Sequence, residues 1–182
     1  RFGDEELKHL KEALDQNTLF YAKGSKVNEF TEKFADKYGA EHCVATSSGA
    51  AAIHVGLGAV GVSAGDEVIT TPLTDTGTII GILFQNAIPV FADLDPYTYN
   101  MDPESIEEKI SDKTKAILVV DVFGQPVNME RVMEIANKHG LKVIDDSCEA
   151  IGAEYNGVKV GKQGDAAVFA FYPNKQMTTG EG

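Results

Sequence analysis

The sequence has 182 residues, of which 43% are hydrophobic and 24% charged, a composition typical of a globular domain with a substantial core. Its formal net charge of −12 argues against nucleic acid or an anionic membrane as a partner, because both bind clustered lysine and arginine. Cys43 and Cys148 lie far apart in the sequence and form no C-x-x-C pair, so they indicate reduced thiols and a cytoplasmic location.

Helical and strand patterns alternate along almost the whole chain. The first helix is expected because Leu7, Leu10 and Leu14 recur at helical spacing after Asp4, which is a plausible cap. Short apolar runs predict buried strands, and one of these runs contains Asp121. In chain order, the patterns predict helices at 4–14, 25–38, 50–60, 74–85, 102–110 and 128–139, and strands at 42–46, 67–71, 89–94, 116–123, 142–145 and 166–171.

Apolar strands that alternate with helices indicate a three-layer α/β/α fold with a mostly parallel central sheet. In such sheets, ligands bind outside the carboxyl ends of the strands. Four short segments follow predicted strands and are therefore candidate site loops: 47–51, 71–76, 145–149 and 172–175.

The segment Ser47-Ser48-Gly49-Ala50-Ala51 lies between a predicted strand and a predicted helix. Free N–H groups at such a helix start can bind an anion, and the small side chains let a phosphate approach the backbone. A tight turn with serine caps is the alternative interpretation. The segment is neither a P-loop nor G-x-G-x-x-G, so it does not support a nicotinamide-binding Rossmann fold.

Asp145 and Asp146 follow one apolar run, and Lys175 follows the last. An aspartate in such a place can cap the next segment, bind a ligand hydroxyl or pair with a protonated ring nitrogen. Most lysines are solvated, but one held at the carboxyl end of a buried strand can act as an amine nucleophile. A lysine, an aspartate and a helix start for phosphate together describe a pyridoxal phosphate site.

Several ordered motifs resemble those of a known family: EHCVATSSGAAAIH, GDEVITTP, PVFADLDPYTYNMDPESIE, FGQP, HGLKVIDDSCEAIGAEYNG and FYPNKQMTTGEG. The sequence is similar to the DegT/StrS sugar aminotransferases, which are fold-type-I pyridoxal phosphate enzymes. The resemblance covers residues 1–182 and implies the large cofactor-binding domain of a longer chain, with a smaller C-terminal domain beyond Gly182. It implies amino transfer from glutamate or glutamine to a nucleotide-linked keto sugar, in amino-sugar, polysaccharide or antibiotic-sugar biosynthesis. It also implies a homodimer with shared active sites.

The resemblance assigns roles to particular residues of this sequence. Lys175 matches the lysine that holds pyridoxal 5'-phosphate and moves the substrate proton. Asp146 matches the aspartate that keeps the pyridine nitrogen protonated. The residues Gly49, Ala50 and Ala51 match the turn that binds the phosphate.

Other positions depart from the family pattern. Ala50 replaces a threonine, and Ala170 stands where a phosphate-binding serine is common. Asp75, or a near neighbour, occupies the place of an aromatic residue that stacks on the cofactor ring. Glu149 stands near the cofactor's 3-hydroxyl, where glutamine or histidine is usual. These departures leave the lysine and the aspartate intact but suggest a subgroup of the family.

Two alternative functions remain open. A pyridoxal-phosphate-dependent sugar dehydrase uses the same scaffold, but a histidine replaces the lysine in that branch, so Lys175 favours amino transfer. A non-catalytic or regulatory relative would keep the fold and bind a sugar or a partner protein. No metal site is predicted, because the histidines are scattered without ligand spacing: His9, His42, His54 and His139.

Overall fold

The computed structural model describes residues 2–181, which form two compact units that divide between Ala45 and Thr46. The first and last residues of the predicted domain, Arg1 and Gly182, lie outside the described residues. None of the helices between Phe2 and Glu181 combines the length and the apolar character that a membrane crossing requires.

The first unit contains two helices at the predicted positions, α1 (Asp4–Asp15) and α2 (Lys26–Tyr38). The cap of α1 is Gly3, whereas the predicted cap, Asp4, is the first helical residue. The apolar stripe of α1 remains 62–70% exposed, so the helical period was correct but the stripe does not mark a buried face. The residues of this stripe are Leu7, Leu10 and Leu14.

The predicted strand at 42–46 is wrong, since these residues form no strand in the structure. A strand is stabilised by a hydrogen-bonded neighbour and by burial of alternate side chains. Val44, the most strand-like residue of this run, is 74% exposed. No strand among residues 2–181 pairs with the segment.

The second unit is an α/β sandwich built on a five-stranded parallel sheet in the order β2-β1-β3-β4-β7. Its sheet strands are β1 (Glu67–Thr70), β2 (Ile88–Phe91), β3 (Thr114–Val120), β4 (Lys142–Asp146) and β7 (Ala166–Val168). A short antiparallel hairpin, β5 (Glu154–Tyr155) and β6 (Val158–Lys159), lies between β4 and β7 along the chain. The helices are α3 (Gly49–Ala59), α4 (Thr76–Phe84), α5 (Pro103–Glu108) and α6 (Met129–His139).

Alternate residues of the central strand β3 belong to different halves of the core, one on each face of the sheet. Ala116 and Leu118 belong to the cluster that includes Ile53 of α3 and Ile82 of α4. The intervening residues, Ile117 and Val119, belong to the cluster that contains the apolar residues of α5 and α6. Helices therefore cover both faces of the sheet, and the predicted three-layer α/β/α arrangement is confirmed.

Three strands end three residues earlier than predicted. The last strand ends at Val168 and not at 171, β3 ends at Val120 and not at 123, and β2 ends at Phe91 and not at 94. After β3 the chain enters a short 3-10 turn in which Phe123 has a φ of 57°. This left-handed conformation is uncommon for a residue with a β-carbon, so the turn redirects the chain sharply at the carboxyl end of the sheet.

Candidate active site

A cavity of about 210 Å³ opens at the carboxyl edge of the parallel sheet. Its walls come from the segments that follow β1, β3, β4 and β7, which is the location expected for ligands in such folds. The lining residues are Leu73, Thr74, Asp75, Thr78, Val120, Val122, Phe123, Asp146, Cys148, Glu149 and Lys175.

The buried carboxylate of this cavity belongs to Asp146, the last residue of β4, which is 3% exposed. Thr78 donates a hydrogen bond from Oγ1 to its Oδ2 at 2.8 Å. The backbone N–H of Cys148 donates to its Oδ1 at 3.2 Å. Both carboxylate oxygens are therefore held in place by groups from two different segments.

The electrostatic surroundings of Asp146 favour a cationic ligand. Burial raises the pKa of its carboxyl, while the hydrogen bonds from Cys148 and Thr78 and the charge of Lys175 oppose that rise. A protonated nitrogen bound in the cavity would lower this pKa, because an opposite charge stabilises the ionised carboxylate. Burial also raises the pKa of the Cys148 thiol far above its usual range, so this cysteine is not a ready nucleophile.

Lys175 enters the same cavity from the loop that follows β7. Its side chain is 14% exposed, and its Nζ lies 3.6 Å from Oε1 of Glu149. The loop is fixed by hydrogen bonds within itself: the N–H of Lys175 donates to the carbonyl of Tyr172, and Thr178 and Thr179 both donate to the carbonyl of Phe171. The lysine is therefore held largely buried although it lies outside any strand.

Glu149 connects three parts of the cavity wall. Its Oε2 accepts a hydrogen bond of 2.9 Å from the N–H of Phe123, the residue with left-handed backbone geometry. Its other carboxylate oxygen faces Lys175, and its carbonyl accepts a hydrogen bond from the side chain of Gln176. This carboxylate therefore orients the lysine against the turn after β3.

The segment Gly49-Ala50-Ala51 begins α3 but does not line the cavity. The N–H of Ala51 is already bound by Ser48 Oγ at 3.1 Å. The N–H groups of Gly49 and Ala50 donate no hydrogen bond to any of residues 2–181. A β-carbon on Gly49 would lie 2.9 Å from that of Ala170, so this helix start packs against the chain between β7 and Lys175.

Asp75 lines the cavity, and its carboxylate also caps a helix. Its Oδ1 accepts a hydrogen bond of 2.7 Å from the N–H of Gly77, at the start of α4. A β-carbon on Gly77 would lie 3.5 Å from that of Ala50, so α3 and α4 begin side by side. The cavity therefore brings together four predicted site residues, and the other three lie at the adjacent helix start.

Thr78 lines the cavity but is not among the site residues predicted from the sequence. Thr78 is 2% exposed, and its hydroxyl also meets that of Thr74 at 2.7 Å. Because Thr78 donates to Asp146, the hydroxyl of Thr74 must donate to Thr78. The available signal was a pair of threonines spaced by one helical turn at the start of an otherwise apolar helix.

Taken together, the parallel sheet, the buried aspartate and the enclosed lysine define an α/β domain with a candidate ligand site at the carboxyl edge of its sheet. The sequence matches the DegT/DnrJ/EryC1/StrS aminotransferase family over residues 1–182, and the chain belongs to this family.

Individual relatives agree with this assignment. A GDP-perosamine synthase of Escherichia coli O157:H7 is 41% identical over 97% of this chain and 48% of its own length. The spore coat polysaccharide biosynthesis protein SpsC of Bacillus subtilis (strain 168) is 41% identical over 99% of this chain and 46% of its own length. The X-ray structure of an aminotransferase from Psychrobacter cryohalolentis superposes with a TM-score of 0.95 and 38% identity, over 100% of this chain and 46% of the other. The chain thus spans about half the length of the relatives it matches.

Proposed function

We propose that this chain forms the cofactor-binding part of a pyridoxal-phosphate-dependent aminotransferase that acts on a keto sugar. The observation that carries the proposal is the cavity in which a largely buried lysine, Lys175, faces a fully enclosed carboxylate, Asp146. Family membership and the amino-sugar name of the Escherichia coli relative support the same activity.

The residues present fit pyridoxal 5'-phosphate. Asp146 is a buried carboxyl held by two donors, and it suits a protonated pyridine nitrogen, which would stabilise its ionised form. Lys175 supplies the amine that would hold the cofactor, and Glu149 lies beside it. The unpaired N–H groups of Gly49 and Ala50 at the start of α3 suit a phosphate, which a helix N-terminus favours.

The chemistry divides between the cofactor and the chain. When bound, pyridoxal phosphate supplies a carbonyl carbon that accepts the amino group and a ring that withdraws electrons. Asp146 holds a proton at the ring nitrogen, and Thr78 and Cys148 keep its two oxygens oriented. Lys175 acts through Nζ as the base and acid that moves the substrate proton, and Glu149 positions that amine from the neighbouring wall.

We also propose the substrates, the pathway, the assembly and the location of the enzyme. The acceptor is a nucleotide-linked keto sugar and the donor is glutamate or glutamine, in a pathway to amino sugars, polysaccharides or antibiotic sugars. The names of the relatives support the first two pathways. Residues 1–182 belong to a large cofactor-binding domain, and the enzyme works as a homodimer in the cytoplasm. The free thiols of Cys43 and Cys148 support the location.

A cofactor titration of the full-length protein tests the proposal. We expect an absorption band at roughly 410–430 nm on addition of pyridoxal phosphate, as for a lysine-bound cofactor. Lys175→Ala should lose this band and the transfer of amine to a keto sugar. The matched control is Lys113→Ala, which removes an exposed lysine at the amino end of β3 and should keep both. A wild-type protein without the band would refute the proposal.

The same experiment separates the two alternatives. Loss of water from the sugar without amine transfer would indicate a dehydrase. Absence of saturable cofactor binding would indicate a non-catalytic relative, which the occupied Ala51 N–H and the acidic Glu149 favour. The enclosed Lys175 makes amino transfer the preferred function.

A further inference from the structure

Two buried carboxyls that the proposed chemistry does not use lie behind the cavity. Asp121 and Asp145 are each 1% exposed. In the register of β3 and β4, Val119 pairs with Asp145, and Asp121 lies two residues after Val119. Because side chains alternate along a strand, the two aspartates point to the same face of the sheet. Asp146 points to the opposite face, where it meets Thr78 of α4.

The hydrogen bonds of these carboxyls do not balance if both are ionised. Asp121 accepts from the N–H of Val127 at 2.9 Å and from Ser147 Oγ at 3.0 Å. Asp145 accepts from the N–H of Gly161 at 2.7 Å through Oδ2. Its Oδ1 is buried and accepts no hydrogen bond from any of residues 2–181. A buried charged oxygen without a donor is costly, so this atom requires an explanation.

The neighbour that can satisfy Oδ1 of Asp145 is the other carboxyl. Asp121, which directly follows β3, and Asp145 of β4 lie on the same face of neighbouring strands, and their carboxyls interact electrostatically. Two carboxylates cannot form a hydrogen bond to each other without a proton. The single hydroxyl proton of Ser147 is already directed to Asp121. A metal ion is the other general solution for clustered carboxylates, but within residues 2–181 no three ligand side chains are arranged to hold one.

We propose that Asp121 and Asp145 share one proton, carried by Asp121 and donated to Oδ1 of Asp145, and that this bond positions the turn which follows β4. The pair then carries one negative charge instead of two. Oδ1 of Asp145 gains a donor, so that each of the four carboxyl oxygens has a hydrogen-bond partner.

The titration behaviour of the pair agrees with this arrangement. Burial, together with the nearby charge of Asp145, raises the pKa of Asp121 to about 7. Burial also raises the pKa of Asp145, and hydrogen bonds from Gly161, Ser147 and Asp121 oppose that rise. The charged group that acts on Asp145 from its own strand is Asp146, which lines the cavity together with Lys175 on the opposite face of the sheet. The two carboxyls titrate as a pair rather than separately.

The shared proton joins three segments around the cavity. Asp121 binds Val127 at the end of the turn that carries Phe123, and it binds Ser147, which precedes Cys148 and Glu149. Asp145 binds Gly161, beyond the β5–β6 hairpin. The pair therefore fixes, from the side of the sheet away from the cavity, the segments that carry cavity-lining residues. Asp121 and Asp145 are positioning residues.

The proton has a measurable effect on folding. An unfolded aspartate has a pKa near 3.9, so between about pH 4 and pH 7 the folded protein holds about one proton that the unfolded chain has released. The free energy of unfolding contributed by the pair therefore falls as pH rises through this window. Asp121→Asn removes this dependence, because an amide N–H₂ replaces the shared proton at every pH.

The test is urea unfolding of the cofactor-free, full-length protein between about pH 5 and pH 8, followed by far-UV circular dichroism. We expect the wild type to bind about one proton more on folding than Asp121→Asn does below about pH 7, and the difference to disappear above it. Asp112→Asn, at an exposed aspartate, is the matched control and should keep the wild-type slope. Equal slopes for the wild type and Asp121→Asn would overturn the proposal.

A double-mutant cycle tests the contact between the two groups. Asp145→Asn should also fold, since its amide oxygen can accept from Gly161 while its N–H₂ donates to Asp121. In the double variant Asp121→Asn, Asp145→Asn, two N–H₂ groups face each other, and the urea midpoint should fall by far more than the sum of the single effects. Additive effects would overturn the contact. If a variant does not fold, the ¹³C carboxyl shift of Asp121 in the wild type decides: a titration at the ordinary pH of an aspartate overturns the proposal.

A last measurement connects the pair to the site and rests on the proposed function. Cofactor affinity of the wild type should weaken as pH rises above about 7, where the pair loses its proton, and Asp121→Asn should lack this loss. A protein that binds no cofactor at any pH would refute the proposed function, but the stability slopes would still test the shared proton. Equal pH profiles of affinity in both proteins would overturn the positioning role.

Discussion

The hydroxyl of Thr78 is the most direct point at which to perturb the buried carboxylate. Thr78→Val removes the hydroxyl and keeps the branched shape, so it leaves little empty space at a residue that is 2% exposed. Oδ2 of Asp146 then loses the hydrogen bond that Thr78 donates. Without that donor, the pKa of Asp146 rises further, because the ionised form loses its stabilisation.

The expected magnitude depends on the charge of the acceptor. A hydrogen bond to a charged group contributes about 1.5–3 kcal/mol to stability, and one between neutral groups contributes about 0.5–1.5 kcal/mol. Thr78→Val should therefore cost about 1.5–3 kcal/mol where Asp146 is ionised. As pH falls and the Asp146 carboxyl takes up a proton, the cost should shrink to the neutral range.

Urea unfolding at several pH values, followed by circular dichroism, measures both quantities in the cofactor-free protein. Thr78→Ser retains the hydroxyl and should recover most of the loss at pH 8. Thr70→Val is the matched control, because Thr70 is also buried but donates to the carbonyl of Leu118 at 2.9 Å. Its cost should not change with pH, since a carbonyl does not titrate.

Two results would refute this reasoning. A cost of Thr78→Val that stays constant from low to high pH would mean that the hydroxyl does not stabilise a charged form of Asp146. A Thr78→Ser variant as unstable as Thr78→Val would mean that the missing methyl, and not the hydrogen bond, accounts for the effect.

Two further predictions concern packing and charge. Gly49→Ala should cost about 1–3 kcal/mol through overpacking, because its β-carbon would lie 2.9 Å from that of Ala170, and adding Ala170→Gly should restore the stability measured by urea unfolding. No recovery in the double variant would place the strain elsewhere. The hydrogen bond from Lys138 lowers the pKa of Glu107 to about 2, so its contribution is present above about pH 4.5 and lost as pH falls towards 2. Glu107→Gln should reduce the loss of stability between about pH 4.5 and pH 2, measured by acid unfolding followed by circular dichroism. An acid-unfolding curve identical to that of the wild type would contradict the role of the ion pair.

The sequence predicted the part of the site that depends on topology. Strands that run in parallel end at one edge, so Asp146, Glu149 and Lys175 could be assigned to the same region without knowledge of distances. In the structure, all three residues line the same cavity. Their catalytic and cofactor-binding roles stay predictions until the cofactor titration is made.

Side-chain pairing between distant segments could not be read from the sequence. The contact of Thr78 with Asp146 and that of Asp121 with Asp145 depend on register and on the packing of α4, and neither leaves a local pattern. The false strand at 42–46 has the opposite cause, since local composition favours a strand there but no partner strand exists among residues 2–181.

One missed element did carry a local signal. Asn156 and Gly157 have φ values of 50° and 78° and connect the two strands of the β5–β6 hairpin. An Asn-Gly pair is the preferred sequence for such a two-residue turn. Each strand of the hairpin has only two residues, so the alternation of apolar and polar residues that indicates a strand is too short to recognise.

The bond between Thr78 and Asp146 also bears on how the protein folds. It closes a loop of 68 residues, which includes the three strands β2, β3 and β4 and the helices between them. Bringing such distant residues together has an entropic cost that is repaid only when the sheet is assembled. The cavity should therefore form late, after its surrounding strands have paired. An early intermediate that contains α3 and α4 alone would have helical structure but no place for a cofactor, so ligand binding would report the completion of folding rather than guide its first steps.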